Sequence, residues 1–260
     1  MVTQPIANDA AMGIFAVLDP KTIAILLDVD GTMIDIGPSP FEVHVSLGLQ
    51  KSLTRLFELT GGALALVSGR PIRDLDRLFS PLKLPAIGGH GAEMRVRGEK
   101  VITSVQSLSE DLRGRLAKAA LLDAGIEVED KGYSLALHYR KAPQHEQGLL
   151  RQIAADCKAF PGETTEVLPG KSMFEVKRPA VNKGESVRQL MKLAPFAGRM
   201  PVFIGDDVTD ESVFEIMPDL GGKGFSVTRQ FPGLTGIFSS PAEVRRALRL
   251  LADGAGVQAS

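Results

Sequence analysis

Thr22-Ile-Ala-Ile-Leu-Leu27 runs straight into Asp28-Val-Asp-Gly-Thr32. The first six residues form an apolar, partly β-branched run, as expected of a strand buried on both faces of a parallel sheet. The turn that follows carries Asp28 and Asp30 just beyond the end of that strand. Moving outward, the rhythm repeats. Leu47 to Leu59 spaces Leu49, Leu53, Leu56 and Phe57 as one helix face, and Gly61-Gly62 closes it. Ala63 to Val67 reads as a second strand, ending in Ser68-Gly69-Arg70-Pro71. Ile72 to Phe79 reads as a short helix with Pro71 just inside its start. Pro85 to Gly88 reads as a third strand leading into Gly89-His90-Gly91-Ala92-Glu93. Short strands alternating with helices predict the α/β class, with a doubly wound parallel sheet.

The middle of the chain breaks this rhythm. Leu112 to Leu122 and Leu149 to Phe160 read as helices. Ile126 to Asp130 and Tyr133 to Arg140 read as strands, because Leu135, Leu137 and Tyr139 alternate with Ser134, Ala136, His138 and Arg140. Thr165 to Leu168 and Lys171 to Lys177 flank Pro169-Gly170, a hairpin signal. These elements predict a smaller α+β module over residues 108–179, inserted between core segments 1–107 and 180–260. The α/β rhythm then resumes with a helix over Lys183 to Leu193 and a strand over Pro201 to Ile204. Next come a helix over Ser212 to Met217, a strand over Gly224 to Val227, a helix over Pro241 to Leu251, and a loose tail from Asp253.

Composition narrows the function classes. With 44% hydrophobic residues in a chain of 260, there is ample apolar surface for one or two globular domains. A disordered chain, a collagen-like repeat and a coiled coil are excluded. Lys and Arg number 30 against 31 Asp and Glu, which disfavours a protein that works by coating nucleic acid. Cys157 is the single cysteine, so no internal disulfide calls for an oxidising compartment. The apolar run Ala10 to Leu18 is far shorter than the roughly 20 residues of a membrane-spanning helix, and no Lys or Arg precedes it. It reads as an amphipathic lead-in, and the expected location is cytoplasmic.

Ligands of open α/β sheets bind outside the carboxyl ends of the strands, and every distinctive polar cluster of this chain follows a strand. Asp28 and Asp30 would repel one another unless compensated, and a hard divalent cation with oxygen ligands does so. A carboxylate here can also attack phosphorus, with the second one protonating the leaving alcohol and activating water. Gly205-Asp206-Asp207-Val208-Thr209-Asp210-Glu211 adds carboxylates at a later strand end. Asp206 can complete a magnesium site with Asp28 and a carbonyl near Asp30, leaving Asp207 and Asp210 outside it. Asp210 and Glu211 equally suit helix capping. Ser68 and Gly69 offer a hydroxyl and backbone N–H groups to a phosphate oxygen, or an ordinary helix cap. Lys183 can neutralise phosphate and shield the nucleophile.

Taken in order, these clusters resemble the haloacid dehalogenase superfamily of phosphotransferases over essentially the whole chain. Asp28-Val-Asp-Gly-Thr32, Asp35-Ile-Gly-Pro-Ser-Pro40, Leu66-Val-Ser-Gly-Arg-Pro71, His90-Gly-Ala-Glu93 and Gly205 to Glu211 resemble the trehalose-6-phosphate phosphatase family more closely. So do Leu137-His-Tyr-Arg140 and Gly170-Lys171 with Glu175. The resemblance implies a Rossmann-like core and an inserted cap that sets substrate specificity. It implies Asp28 as nucleophile, Asp30 as acid/base, and Mg²⁺ held by Asp28, Asp206 and the Asp30 carbonyl. Ser68, Gly69 and Lys183 would hold phosphate. Lys171 and Glu175, with His90, Glu93 and Arg140, would read the sugar hydroxyls.

On an extended strand Lys171, Met173, Glu175 and Lys177 share one face, with Lys171 and Glu175 about 13 Å apart, a span that brackets a disaccharide. The implied substrate is trehalose 6-phosphate, supplied by a trehalose-6-phosphate synthase, with no nucleic-acid or membrane partner. Sucrose 6-phosphate, mannosyl-3-phosphoglycerate or phosphomutase chemistry would use the same core and differ in the cap. A non-catalytic sugar-phosphate sensor would be expected to have lost Asp28, Asp30 or Asp206, and all three are present.

Overall fold

A computed structural model describes residues 8–36, 43–98, 100–103, 107–179 and 182–254. In chain order the strands are β1 (Ile23–Leu27), β2 (Leu64–Val67), β3 (Ala86–Gly88), β4 (Glu93–Arg95), β5 (Ile102–Thr103), β6 (Glu127–Asp130), β7 (Ser134–His138), β8 (Glu166–Gly170), β9 (Met173–Lys177), β10 (Met200–Gly205), β11 (Lys223–Val227) and β12 (Gly236–Phe238). The helices are α1 (Asn8–Ala16), α2 (Leu47–Leu59), α3 (Ile72–Leu78), α4 (Glu110–Ala117), α5 (Glu146–Lys158), α6 (Lys183–Leu190), α7 (Glu211–Ile216) and α8 (Pro241–Gly254).

Residues 1–102 and 181–260 make one unit and residues 103–180 a second. The first is built on an eight-stranded sheet in the order β12-β11-β10-β1-β2-β3-β4-β5. Strand β1 pairs in parallel with β10 on one side and β2 on the other. Its side chains alternate between two cores. Ile23, Ile25 and Leu27 pack with α2 and α8 through Leu53, Leu56, Val244 and Leu248. Ala24 and Leu26 pack with α6 and α7 through Val187, Leu190, Val213 and Phe214. Both faces of the strand are therefore dry, which is why its sequence is an unbroken apolar run rather than an alternation. Burying each such Leu or Ile side chain contributes roughly 1.5–3 kcal/mol before entropy.

In the second unit an antiparallel sheet runs in the order β6-β7-β9-β8. Leu135, Leu137, Phe174 and Val176 point to one face and pack on Leu112, Leu116, Leu149 and Ile153 of α4 and α5. The opposite face carries Glu129, Ala136 and Glu175 in register.

The structure departs from the sequence reading at several places. The hairpin turns at Lys171-Ser172, not at Pro169-Gly170. Pro169 pairs with Phe174 and Gly170 with Met173 inside the ladder. Lys171 therefore lies outside β9, and the extended spacing from Lys171 to Glu175 does not hold. Glu175 and Lys177 are buried. The helix expected over Leu112 to Leu122 changes to a tighter 3-10 turn at Lys118–Leu121. Pro71 caps α3 from outside. Asp253 belongs to α8 rather than to a tail. The lead-in becomes α1, whose Ala11 and Phe15 are fully buried, with Phe15 packed edge-on to Phe225 and Phe238. The stretch Gly37 to Pro40 lies outside the described residues. Among the described residues, no helix is long and apolar enough to cross a membrane.

Candidate functional site

The register that sets Leu27 beside Ile204 makes β1 and β10 finish together, and the Asp28 N–H extends the ladder to the Ile204 carbonyl at 2.9 Å. Asp28 and Asp206 thus emerge side by side from the two central strands. Gly31 makes the return possible. It has φ +85°, and a Cβ there would lie 2.2 Å from Asp206 Oδ2. Thr32 donates its hydroxyl to Asp206 Oδ1 at 2.9 Å. Arg245 of α8 ties the same loop down by donating to the Met33 carbonyl at 2.9 Å, and it pairs with Asp35 at 3.2 Å.

Lys183 is the first residue of α6, which is capped by the Asn182 side chain accepting from the Glu185 N–H. Its ammonium is buried and donates to Asp28 Oδ1 at 3.0 Å and Asp210 Oδ1 at 2.6 Å. Asp210 spends its other oxygen on the backbone N–H groups of Asp206 and Asp207, both at 3.0 Å. This fully buried carboxylate thus accepts three protein hydrogen bonds. Asp207 is exposed, caps the short turn Val208–Asp210, and pairs loosely with Arg229.

The electrostatics follow from this crowding. Burial pushes the Asp28 carboxyl well above its ordinary range, with the Lys183 charge opposing and Asp210 and Asp206 adding to the rise. Asp206 is raised to about 6, by burial first, then by Asp210 and Asp207, against the Thr32 hydrogen bond. Burial opposes the charge of Lys183, but Asp210 and Asp28 outweigh it, so the lysine stays an ammonium. One oxygen from each of Asp28, Asp206 and Asp210 falls within 4.8 Å of the others. An all-oxygen set with surplus negative charge suits a hard divalent cation.

Asp30 stands apart from this cluster. Both its oxygens accept from Arg70, from Nε and from Nη2, each at 2.6 Å. The Arg70 N–H in turn donates to the buried Ser68 Oγ at 3.2 Å, which helps shape the turn after β2. His90, at φ +55°, lies over Gly69, where any Cβ would come within 2.5 Å of the imidazole ring. Glu93 accepts from the Ile72 N–H at 2.7 Å and so holds the start of α3. Burial raises its carboxyl, against that hydrogen bond.

In the second unit Glu175 accepts from the Ser134 hydroxyl at 2.6 Å and from Lys131 at 3.1 Å. Glu129 pairs with His138 at 3.1 Å, and that hydrogen bond is the main reason its carboxyl is lowered. Arg140 and Lys171 are exposed, one just past β7 and the other in the hairpin turn. Sequence reasoning assigned no role to Thr32, Arg70, Glu129 or Lys131. Of these, Thr32 and Arg70 sit inside quoted motifs, and their neighbours were the available signal.

An aspartate at the carboxyl end of the central strand, steadied by a buried lysine and followed two residues on by a second aspartate, is the arrangement of the haloacid dehalogenase fold. The protein is a phosphoric monoester hydrolase of that superfamily. Residues 26–232 match the family model described as trehalose-phosphatase, and the chain belongs to that family. It is 39% identical over 202 residues to the trehalose-6-phosphate phosphatase of Escherichia coli, covering 77% of this chain and 75% of that one. It is 37% identical over 248 residues to a probable trehalose-phosphate phosphatase of Sinorhizobium fredii, covering 93% of each. In fold it is similar to the C-terminal domain of Candida albicans trehalose-6-phosphate phosphatase, with TM-score 0.78 at 20% identity, covering 97% of this chain and 99% of that one.

Proposed function

We propose that this chain hydrolyses trehalose 6-phosphate to trehalose and phosphate through a phosphoenzyme on Asp28. The single observation that carries the reading is Asp28 itself, buried at the sheet's centre between the Lys183 ammonium and the Asp206 carboxylate. In the first step an Asp28 oxygen attacks phosphorus and the bond from phosphorus to the sugar oxygen breaks. Asp30 delivers a proton to the departing oxygen. In the second, Asp30 takes a proton from water as the water oxygen attacks phosphorus, and the bond to Asp28 breaks. Lys183 keeps Asp28 in place and offsets charge on the phosphoryl group. Ser68 and the N–H of Gly69 bind its oxygens.

The donor set fits magnesium. Asp28, Asp206 and the Asp30 carbonyl would hold it, while Asp210 is engaged by Lys183 and two N–H groups, and Asp207 stands outside. Bound there, the ion neutralises the clustered carboxylates and polarises the phosphoryl oxygens. In this reading residues 1–107 and 180–260 do the chemistry, and residues 108–179 choose the sugar. Glu175 and Lys171 would read the sugar hydroxyls, with Glu175 held by Lys131 and Ser134. Arg140, His90 and Glu93 are further candidates, Glu93 also holding α3. A trehalose-6-phosphate synthase would supply the substrate, in the cytoplasm.

The test is phosphate release with Mg²⁺ from trehalose 6-phosphate, sucrose 6-phosphate, glucose 6-phosphate and mannosyl-3-phosphoglycerate, wild type beside Asp28→Asn. Strong preference for trehalose 6-phosphate, abolished in Asp28→Asn, is expected. Preference for another ester would overturn the sugar assignment. Undiminished activity in Asp28→Asn would overturn the nucleophile.

A further inference from the structure

Arg70 and Asp30 form the best-matched ion pair near the reacting carboxylates. The guanidinium presents two adjacent donors, Nε and Nη2, to two oxygens of one carboxylate, at 2.6 Å each. This fork geometry fixes the plane of the acceptor as well as its position, which an ammonium cannot do. An ordinary surface pair would place a long side chain in water, yet the Arg70 side chain is only 15% exposed.

The backbone beneath Arg70 is held on several sides. Its N–H donates to Ser68 Oγ at 3.2 Å, and its carbonyl accepts the Gly89 N–H at 2.9 Å. That carbonyl also lies so close to Gly88 that a Cβ there would approach it to 2.9 Å. The His90 N–H closes the same turn onto the Ser68 carbonyl at 3.1 Å. The arm is therefore rooted in backbone hydrogen-bonded at the ends of β2 and β3, and its guanidinium meets Asp30. Asp30 itself sits on a loop turn, its side chain 37% exposed. Lys183, the cation of the neighbouring cluster, is committed to Asp28 and Asp210.

We propose that Arg70 is the positioning residue of the leaving-group step, holding the Asp30 carboxyl in the orientation from which it serves the departing alcohol. Arg70 acts through Asp30, using one lone pair of each carboxylate oxygen and leaving the other to carry the proton that passes to the alcohol. The proposal rests on the acid/base reading of Asp30 given above.

Leaving groups separate this role from a phosphate-binding or purely structural one. A sugar alkoxide needs a proton as it departs, whereas p-nitrophenolate does not. The ratio kcat/KM covers the steps up to departure of the alcohol, while kcat also includes hydrolysis of the phosphoenzyme. In Arg70→Ala, kcat/KM for trehalose 6-phosphate is expected to fall by about 100-fold, and that for p-nitrophenyl phosphate by no more than about 3-fold. In Arg70→Lys, which keeps the charge and loses the fork, the sugar ester is expected to recover only in part.

Asp30→Asn, assayed in parallel, should show the same split. An equal fall for both esters in Arg70→Ala would overturn the proposal, as would no fall for either. If Asp30→Asn shows the split and Arg70→Ala does not, the inference about Arg70 fails alone. If Asp30→Asn shows no split, the reading of Asp30 fails with it. Should Arg70→Ala not fold, as judged by its thermal melt, Arg70→Lys and Arg70→Gln carry the same comparison.

Discussion

Gly31 and Lys183 show how tightly single residues are fitted here. A methyl group at Gly31 meets two obstacles, the backbone at φ +85° and the Asp206 carboxylate 2.2 Å away. Relief requires Asp206 to move, which breaks its hydrogen bond from Thr32. Gly31→Ala is therefore expected to lose activity by about 100-fold or more, with the Mg²⁺ requirement shifted to higher concentration. A phosphate-release assay across a Mg²⁺ titration reads both effects. Lys183 tests the opposite case, a buried charge that holds two others. Lys183→Met leaves Asp28 and Asp210 buried without their cation, which costs about 3–5 kcal/mol at neutral pH. The loss should shrink in mild acid, where the stranded carboxyls can take up protons. Urea unfolding at pH 7 and pH 5 would reveal it, and an equal cost at both would contradict the argument.

Elements whose signal is local were readable, and those decided by pairing were not. Dry strands such as β1 announce themselves by composition, and α2 and α6 begin where the sequence reading puts them, whereas α4 begins at Glu110 behind the Ser109 cap, two residues before the start read from Leu112. The hairpin misled for a physical reason. Pro169-Gly170 is the strongest local turn signal, but Phe174 and Val176 must face the helices. The register that achieves this draws Pro169 and Gly170 into the ladder. The turn then falls on Ser172, which takes φ +60° without being glycine. Ser172→Gly is expected to stabilise the protein by up to about 1 kcal/mol by removing that strain, and Ser172→Val to destabilise it. Thermal melts of the two variants decide this, and a lower Tm for Ser172→Gly would contradict it.

The site follows the same logic. Asp28, Asp206 and Lys183 were legible because each follows a strand or opens a helix. The roles of Thr32, Arg70 and Lys131 come from partners 174, 40 and 44 positions away. No local pattern carries that distance.

Over the whole molecule charge is balanced, with 30 basic against 31 acidic residues. Within it, Asp28, Asp206 and Asp210 concentrate negative charge, and among the described residues Lys183 pairs with Asp28 and Asp210. Stability is therefore expected to depend on pH and, on the magnesium reading proposed above, on cations. Burial, with Asp210 and Asp207 beside it, pushes the Asp206 carboxyl up to about 6 from an ordinary value of 3.8. Between those values the folded chain holds a proton that the unfolded chain has released. Without metal, this group's contribution to stability therefore falls as pH rises through the window and levels off above about 6. Asp28, raised by burial, acts in the same direction.

Other carboxyls, such as Glu129 and Glu163, are lowered and work the opposite way, so the comparison must isolate the cluster. In chelator, Asp206→Asn should gain on the wild type as pH rises from about 4 to about 7. Because the cation requires the ionised carboxylates, the rise in wild-type Tm on adding Mg²⁺ should be small at pH 5 and large at pH 7.5, and Asp206→Asn should lose most of it. A wild-type Tm unmoved by Mg²⁺ at pH 7.5 would mean that Lys183 alone settles this charge and that the carboxylates do not form a cation site.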